Sequence, residues 1–166
     1  MAKPTKHATL ICAILSVAAA IGIVVGLIKL NPLIIILFLL PTVIYEVYRT
    51  EGKSTKWASW GLLIVLILEI LFIVAKIDFN LAEFLGETKR TVAGYSVPLG
   101  DIKVVAPAIM IVLSVVLFVR TRGRYTKWLA IIIFITSFAV VYTISPTIFK
   151  ELLRFGVKEA LDEVRY

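Results

Sequence analysis

The sequence predicts an all-α membrane protein of five transmembrane helices, an N-terminal span followed by two parallel repeats. Two observations carry that prediction. First, 60% of the 166 residues are hydrophobic, far beyond what a water-soluble domain can place in its core. Second, Arg49-Thr50-Glu51-Gly52-Lys53-Ser54-Thr55-Lys56-Trp57 returns 71 residues later as Arg120-Thr121-Arg122-Gly123-Arg124-Tyr125-Thr126-Lys127-Trp128, with six of nine positions identical. The register continues without a gap, since Ile77, Leu81 and Phe84 fall opposite Ile148, Leu152 and Phe155.

Five apolar runs lie near Ala8–Ile28, Leu33–Tyr48, Trp57–Ile77, Val104–Val119 and Trp128–Ile148. A helix needs about 20 residues to cross the hydrocarbon layer, so the second and fourth runs are short spans and the third and fifth are full ones. The same short-then-long order in both copies divides the chain into residues 1–30 (N-terminal span), 31–90 (first repeat), 91–103 (a connecting loop) and 104–166 (second repeat). Each repeat holds two spans, an even number, so the copies share one orientation and are parallel. The first run also resembles a signal peptide, with Lys3 and Lys6 ahead of it and Ala18-Ala19-Ala20 as a small-residue site. It continues unbroken to Ile28, which favours a retained span.

Charge sets the expected topology. Lys3 and Lys6, the turn with Arg49, Lys53 and Lys56, and the turn with Arg120, Arg122, Arg124 and Lys127 all fall on one side of a five-span arrangement. Counted over short loops near span ends, this is the cytoplasmic side of the cell membrane, with the N-terminus inside and the C-terminus outside. Trp57 and Trp128 follow the cations as interfacial anchors, and the turns face anionic headgroups or an acidic partner. Gly52-Lys53-Ser54-Thr55 ends like a phosphate-binding loop, but Val47 stands where that loop needs glycine and an apolar span follows, so nucleotide binding is excluded.

Few residues suggest chemistry. Cys12 is the one cysteine and His7 the one histidine, so no disulfide, thiolate cluster or histidine-based metal site is expected, and no cofactor. Glutamine is absent, and asparagine and methionine are scarce, a tendency of hyperthermophile proteins. Glu69 reads as the ionisable residue deep within a span, where an acid is costly and therefore a functional candidate. It serves either as a protonatable site on an ion pathway or as a protonated acid bonded to Ser114, Thr136 or Ser137, or paired with another subunit. Val140 stands at the matching position of the second copy, so no symmetric pair of carboxyls exists. Pro41 interrupts the second span and frees a carbonyl one turn earlier, which Thr42 or a neighbour can help to satisfy. Ala18, Gly22 and Gly26, at four-residue spacing, give the first span a smooth face for helix contact.

Two segments are expected outside the spans. Asn80–Gly86, opened by Asn80 and Glu83 at capping-box spacing, predicts a short interfacial helix. Phe149, Leu152, Leu153, Val157, Ala160, Leu161 and Val164 recur at helical spacing and predict an amphipathic tail whose polar face carries no net charge, which favours docking on protein over anionic lipid. Val92–Asp101 reads as an ordered loop without a counterpart in the second copy. The leading expectation is a non-catalytic membrane subunit or scaffold, assembled with other membrane subunits or itself and without nucleic acid. The alternative is a small oligomeric transporter or channel that uses Glu69.

Overall fold

The computed structural model describes residues 7–50, 52–75, 90–92, 95–97, 102–146 and 149–150. Among them are five long helices: α1 (Ala8–Lys29), α2 (Pro32–Arg49), α3 (Lys53–Val74), α4 (Ile102–Arg120) and α5 (Arg124–Ile144). α1, α2, α5 and the Thr55–Val74 part of α3 are long and apolar enough to cross a membrane, and Val104–Arg120 of α4 is a shorter apolar helix. The helices are those of a multi-pass membrane protein. The expected segments Asn80–Gly86 and 151–166 lie outside the described residues. A small antiparallel hairpin, β1 (Arg90–Val92) and β2 (Tyr95–Val97), pairs Arg90 with Val97 and Val92 with Tyr95. Thr91, Val92, Tyr95 and Val97 are β-branched or aromatic, a composition that suits a strand.

Helix ends follow local chemistry. Asn31 caps α2 by accepting the Leu33 N–H at 3.0 Å, with Pro32 at the first helical position. α1 stops at Leu30, whose left-handed backbone (φ 49°, ψ 40°) lets the Asn31 N–H reach the Gly26 carbonyl at 3.0 Å. A non-glycine residue is strained there by about 1–2 kcal/mol. Leu30 is also exposed, so Leu30→Gly is expected to stabilise the fold slightly, by no more than about 1 kcal/mol once the added freedom of the unfolded chain is set against it. A thermal ramp in mild detergent checks this.

α3 and α5 begin earlier than their apolar runs suggest. Lys53-Ser54-Thr55-Lys56 and Arg124-Tyr125-Thr126-Lys127 form the first turns of the helices, and the loops shrink to residues 50–52 and 121–123. Both begin alike: Thr55 Oγ1 donates to the Gly52 carbonyl (3.2 Å) and Thr126 Oγ1 to that of Gly123 (2.8 Å). The turns still differ, because Gly52 has φ 111°, which only glycine tolerates well, and Gly123 has φ −74°.

The helices pack α2 on α3, α3 on α4, α4 on α5 and α5 back on α2, while α1 lies against both α2 and α5. The centre holds Ile36, Leu39, Val43, Leu62, Leu66, Met110, Leu117 and Ile133, with a satellite cluster of Cys12, Leu15 and Leu129 under α1. Lipid is as apolar as these side chains, so close packing rather than water exclusion holds such a bundle together. Gly22 and Gly26 serve that packing inside the chain. A Cβ on Gly22 would overlap Phe38 of α2, and one on Gly26 would overlap Ile35. The contacting small residue before them is Ala19 rather than Ala18: Ala19 is buried and Ala18 half-buried.

Candidate functional site

The short turns between α2 and α3 and between α4 and α5 bring both copies of the basic motif to one end of the bundle. α1 begins at that end, since Thr9 Oγ1 lies 3.0 Å from the Tyr125 hydroxyl. Lys56, Arg120, Arg122 and Arg124 are exposed there. Arg49 and Lys127 are instead half-buried over aromatic rings, with the Arg49 guanidinium 4.8 Å from the centre of Tyr125 and the Lys127 ammonium 5.3 Å from that of Phe118. A first-copy arginine thus reaches a second-copy tyrosine. Lys53 lies on the first turn of α3, at the same end.

The two tryptophans differ. Trp128 donates its indole N–H to Ser16 Oγ of α1 at 3.0 Å, and Ser16 in turn donates to the Cys12 carbonyl at 2.7 Å. Trp128 is therefore a clasp for α1. Trp57 is 81% exposed and faces outward.

Glu69 is fully enclosed, at 0% exposure, and both carboxyl oxygens lack a hydrogen-bond partner among the described residues. It sits about 24 Å along α3 from Lys53 at 1.5 Å per residue, towards the end remote from the basic turns. The expected partners do not reach it. Ser114 donates to the Ile111 carbonyl (2.7 Å), Thr136 to Ile132 (2.7 Å) and Ser137 to Ile133 (2.8 Å), so each hydroxyl proton is held by its own helix. Ser114 lies only about 9 Å from the basic end of α4, some 15 Å short of Glu69 in depth.

A second carboxyl is enclosed nearer a span end. Glu46, three residues before the end of α2, is also 0% exposed. Its Oε1 accepts from Thr50 Oγ1 at 2.8 Å, Thr50 accepts from Ser59 Oγ at 2.9 Å, and Ser59 also reaches the Thr55 carbonyl at 3.2 Å. Glu46 Oε2 and Thr42 Oγ1 have no partner, so Thr42 does not satisfy the carbonyl freed by Pro41. A position three residues from a span end looks solvent-reachable in sequence. Thr50 on the loop and, behind it, Ser59 of α3 close that end of the site.

At the 71-residue offset the residues opposite these groups are mostly different. Glu46, Ser59 and Thr42 correspond to Leu117, Ala130 and Leu113, whereas Thr50 corresponds to Thr121. Deprived of a carboxyl neighbour, Thr121 Oγ1 is buried without a partner. The described residues contain no cluster of three metal-ligating side chains. No protein-family model, curated protein or solved structure matches the sequence.

Proposed function

We propose that the chain is a non-catalytic integral subunit or scaffold of a larger membrane complex, with its basic end cytoplasmic, and that a partner contributes a transmembrane helix to the groove between α3 and α4. The observation that carries this is the unequal filling of two related grooves. If the 71-residue correspondence reflects two parallel repeats, it turns α2 into α4 and α3 into α5. It then also turns the α2/α5 groove, on which α1 lies, into the α4/α3 groove, on which no described helix lies.

The residues that seat α1 have counterparts suited to a second helix. Trp128, bonded to Ser16, corresponds to exposed Trp57. Ile132, packed against the cluster of Cys12, Leu15 and Leu129, corresponds to Gly61, where an added Cβ would meet Leu113 at an ordinary 3.7 Å. Phe38, against Gly22, corresponds to Ile109, 43% exposed. The occupant this surface suits is a helix like α1, with a small-residue face and a hydroxyl one turn in from the interface opposite Trp57. The basic turns then offer an acidic partner or anionic headgroups a cationic rim.

Photo-crosslinkers at positions 57 and 61 in native membranes are expected to capture a second polypeptide, whereas one at Leu10, on the outward face of α1, captures lipid. Adducts to lipid alone from all three positions would sink the proposal.

Glu69 supports a second reading, a small oligomeric transporter or channel. An enclosed carboxyl with two unpartnered oxygens is what an intramembrane proton or ion site presents. Proton and ion flux in proteoliposomes decides it, since flux through Glu69 must vanish in Glu69→Gln.

A further inference from the structure

A slot opens between α4 and α5 beside the basic end of the bundle. Its floor is Ser114 and Ala130, two small residues that are both buried. Its walls are Val115 and Phe118 of α4 and Ile131 and Phe134 of α5, which leave an apolar cavity of about 170 Å³. The Phe134 ring packs edge-on against Phe138, 4.8 Å between centres, so the wall farthest from the basic end is fixed. Lys127 marks the opposite end, with its ammonium 5.3 Å from the centre of the Phe118 ring.

Arg124, Lys127, Ile131 and Phe134 succeed one another at three- and four-residue steps, so they share one face of α5. That face passes from two cations to the apolar slot, whose α5 wall lies about 6–10 Å deeper than Lys127 at 1.5 Å per residue. The geometry points to a binding site for one anionic phospholipid, with its phosphate at Arg124 and Lys127 and the upper part of an acyl chain in the slot. A phosphate there also offsets the unfavourable placement of two cations in the first turn of a helix. The Ser114 hydroxyl does not oppose an apolar occupant, because its proton is already held by the Ile111 carbonyl at 2.7 Å. A transmembrane helix is about 10–12 Å across with its side chains, too wide to seat between Phe118 and Ile131, whereas an acyl chain carries no side chains.

The first half of the chain does not repeat the slot. At the 71-residue offset Val43, Val47 and Trp60 stand for Ser114, Phe118 and Ile131. A valine then fills the floor, and no aromatic ring stands opposite Lys56 at the position of Phe118. The site shares neither Trp57 nor Gly61 with the α3/α4 groove, so it stands whether or not a partner lies there.

Phosphatidylglycerol with a diazirine in the upper part of an acyl chain tests the site on the full chain in liposomes. After photolysis, peptide mass spectrometry assigns the adducts. They are expected to concentrate on residues 114–118 and 130–134. Unlabelled phosphatidylglycerol is expected to displace them at about a tenth or less of the lipid fraction that phosphatidylcholine requires, because each surface cation favours an anionic lipid. Arg124→Gln combined with Lys127→Gln is expected to bring the two displacement curves together. Ile131→Trp, which brings to the slot the residue that stands at position 60, is expected to abolish the adducts there. The comparison of lipids uses the parent protein and is independent of how well the variants fold. Equal displacement by both lipids, adducts spread evenly over the outward faces of α1 and α3 as well, or capture of a second polypeptide by a photo-crosslinker at position 131 would overturn the proposal.

Discussion

Glu69→Leu is expected to stabilise the bundle by about 1–3 kcal/mol, the usual penalty of a buried polar group left without a hydrogen bond. Most buried substitutions destabilise, so the sign is the informative part. Leucine fills a similar volume, and the neighbours lose no hydrogen bond, because none reaches the carboxyl among the described residues. Glu69→Gln is expected to help far less, since an amide leaves a donor and an acceptor in the same place. Denaturation of the reconstituted protein with a harsh detergent measures the difference. A loss of stability in Glu69→Leu would mean that the carboxyl has a partner that holds it.

The second large effect is expected at the small-residue face of α1. Gly22→Leu and Gly26→Leu each drive a side chain into α2, at Phe38 and Ile35 respectively, and overpacking of this kind costs about 1–3 kcal/mol. The helix has somewhere to go, because its other face already lies open, with Leu10, Ile14, Val17 and Val24 exposed. α1 should therefore tilt off the bundle rather than unfold it. The lone cysteine reports this directly: Cys12 is 0% exposed beneath α1, beside Leu15 and Leu129. N-ethylmaleimide should label it slowly in the parent and about tenfold or more faster in either variant, the ratio that about 1.4 kcal/mol of opening free energy sets. Equal rates would mean that α1 stays seated despite the overlap.

The sequence made the helices legible for a plain reason: apolar runs of bilayer length have few alternatives to helix. The ends were less legible. Lys53–Lys56 and Arg124–Lys127 are polar and carry their cations at helix N-termini, where the backbone dipole disfavours positive charge, so hydropathy ends the span at the tryptophans. The chain forms those turns all the same, with Thr55 and Thr126 bonding back to the glycine carbonyls. Gly22 and Gly26 were readable as a contact face because only small residues let backbones approach. Which helix they meet was not, since spacing specifies a face and not a neighbour.

Of the polar residues, Glu69 was visible because apolar residues flank it on both sides. Glu46 was not, being followed so closely by Tyr48 and Arg49 that it reads as interfacial. The hydroxyl chain that reaches it runs through Thr50 to Ser59, thirteen residues further on and on another helix. Likewise the two tryptophans look equivalent in sequence, and only the position of α1 makes one a clasp and leaves the other exposed.

Native mass spectrometry of the protein, extracted from its own membranes in mild detergent, tests the proposed role most directly. The expected result is a complex holding the chain together with a second membrane polypeptide, which falls apart when Gly61→Phe fills the α3/α4 groove and survives Leu10→Phe on the outward face of α1. A stable monomer with no co-purifying chain, the same in the parent and both variants, would contradict it.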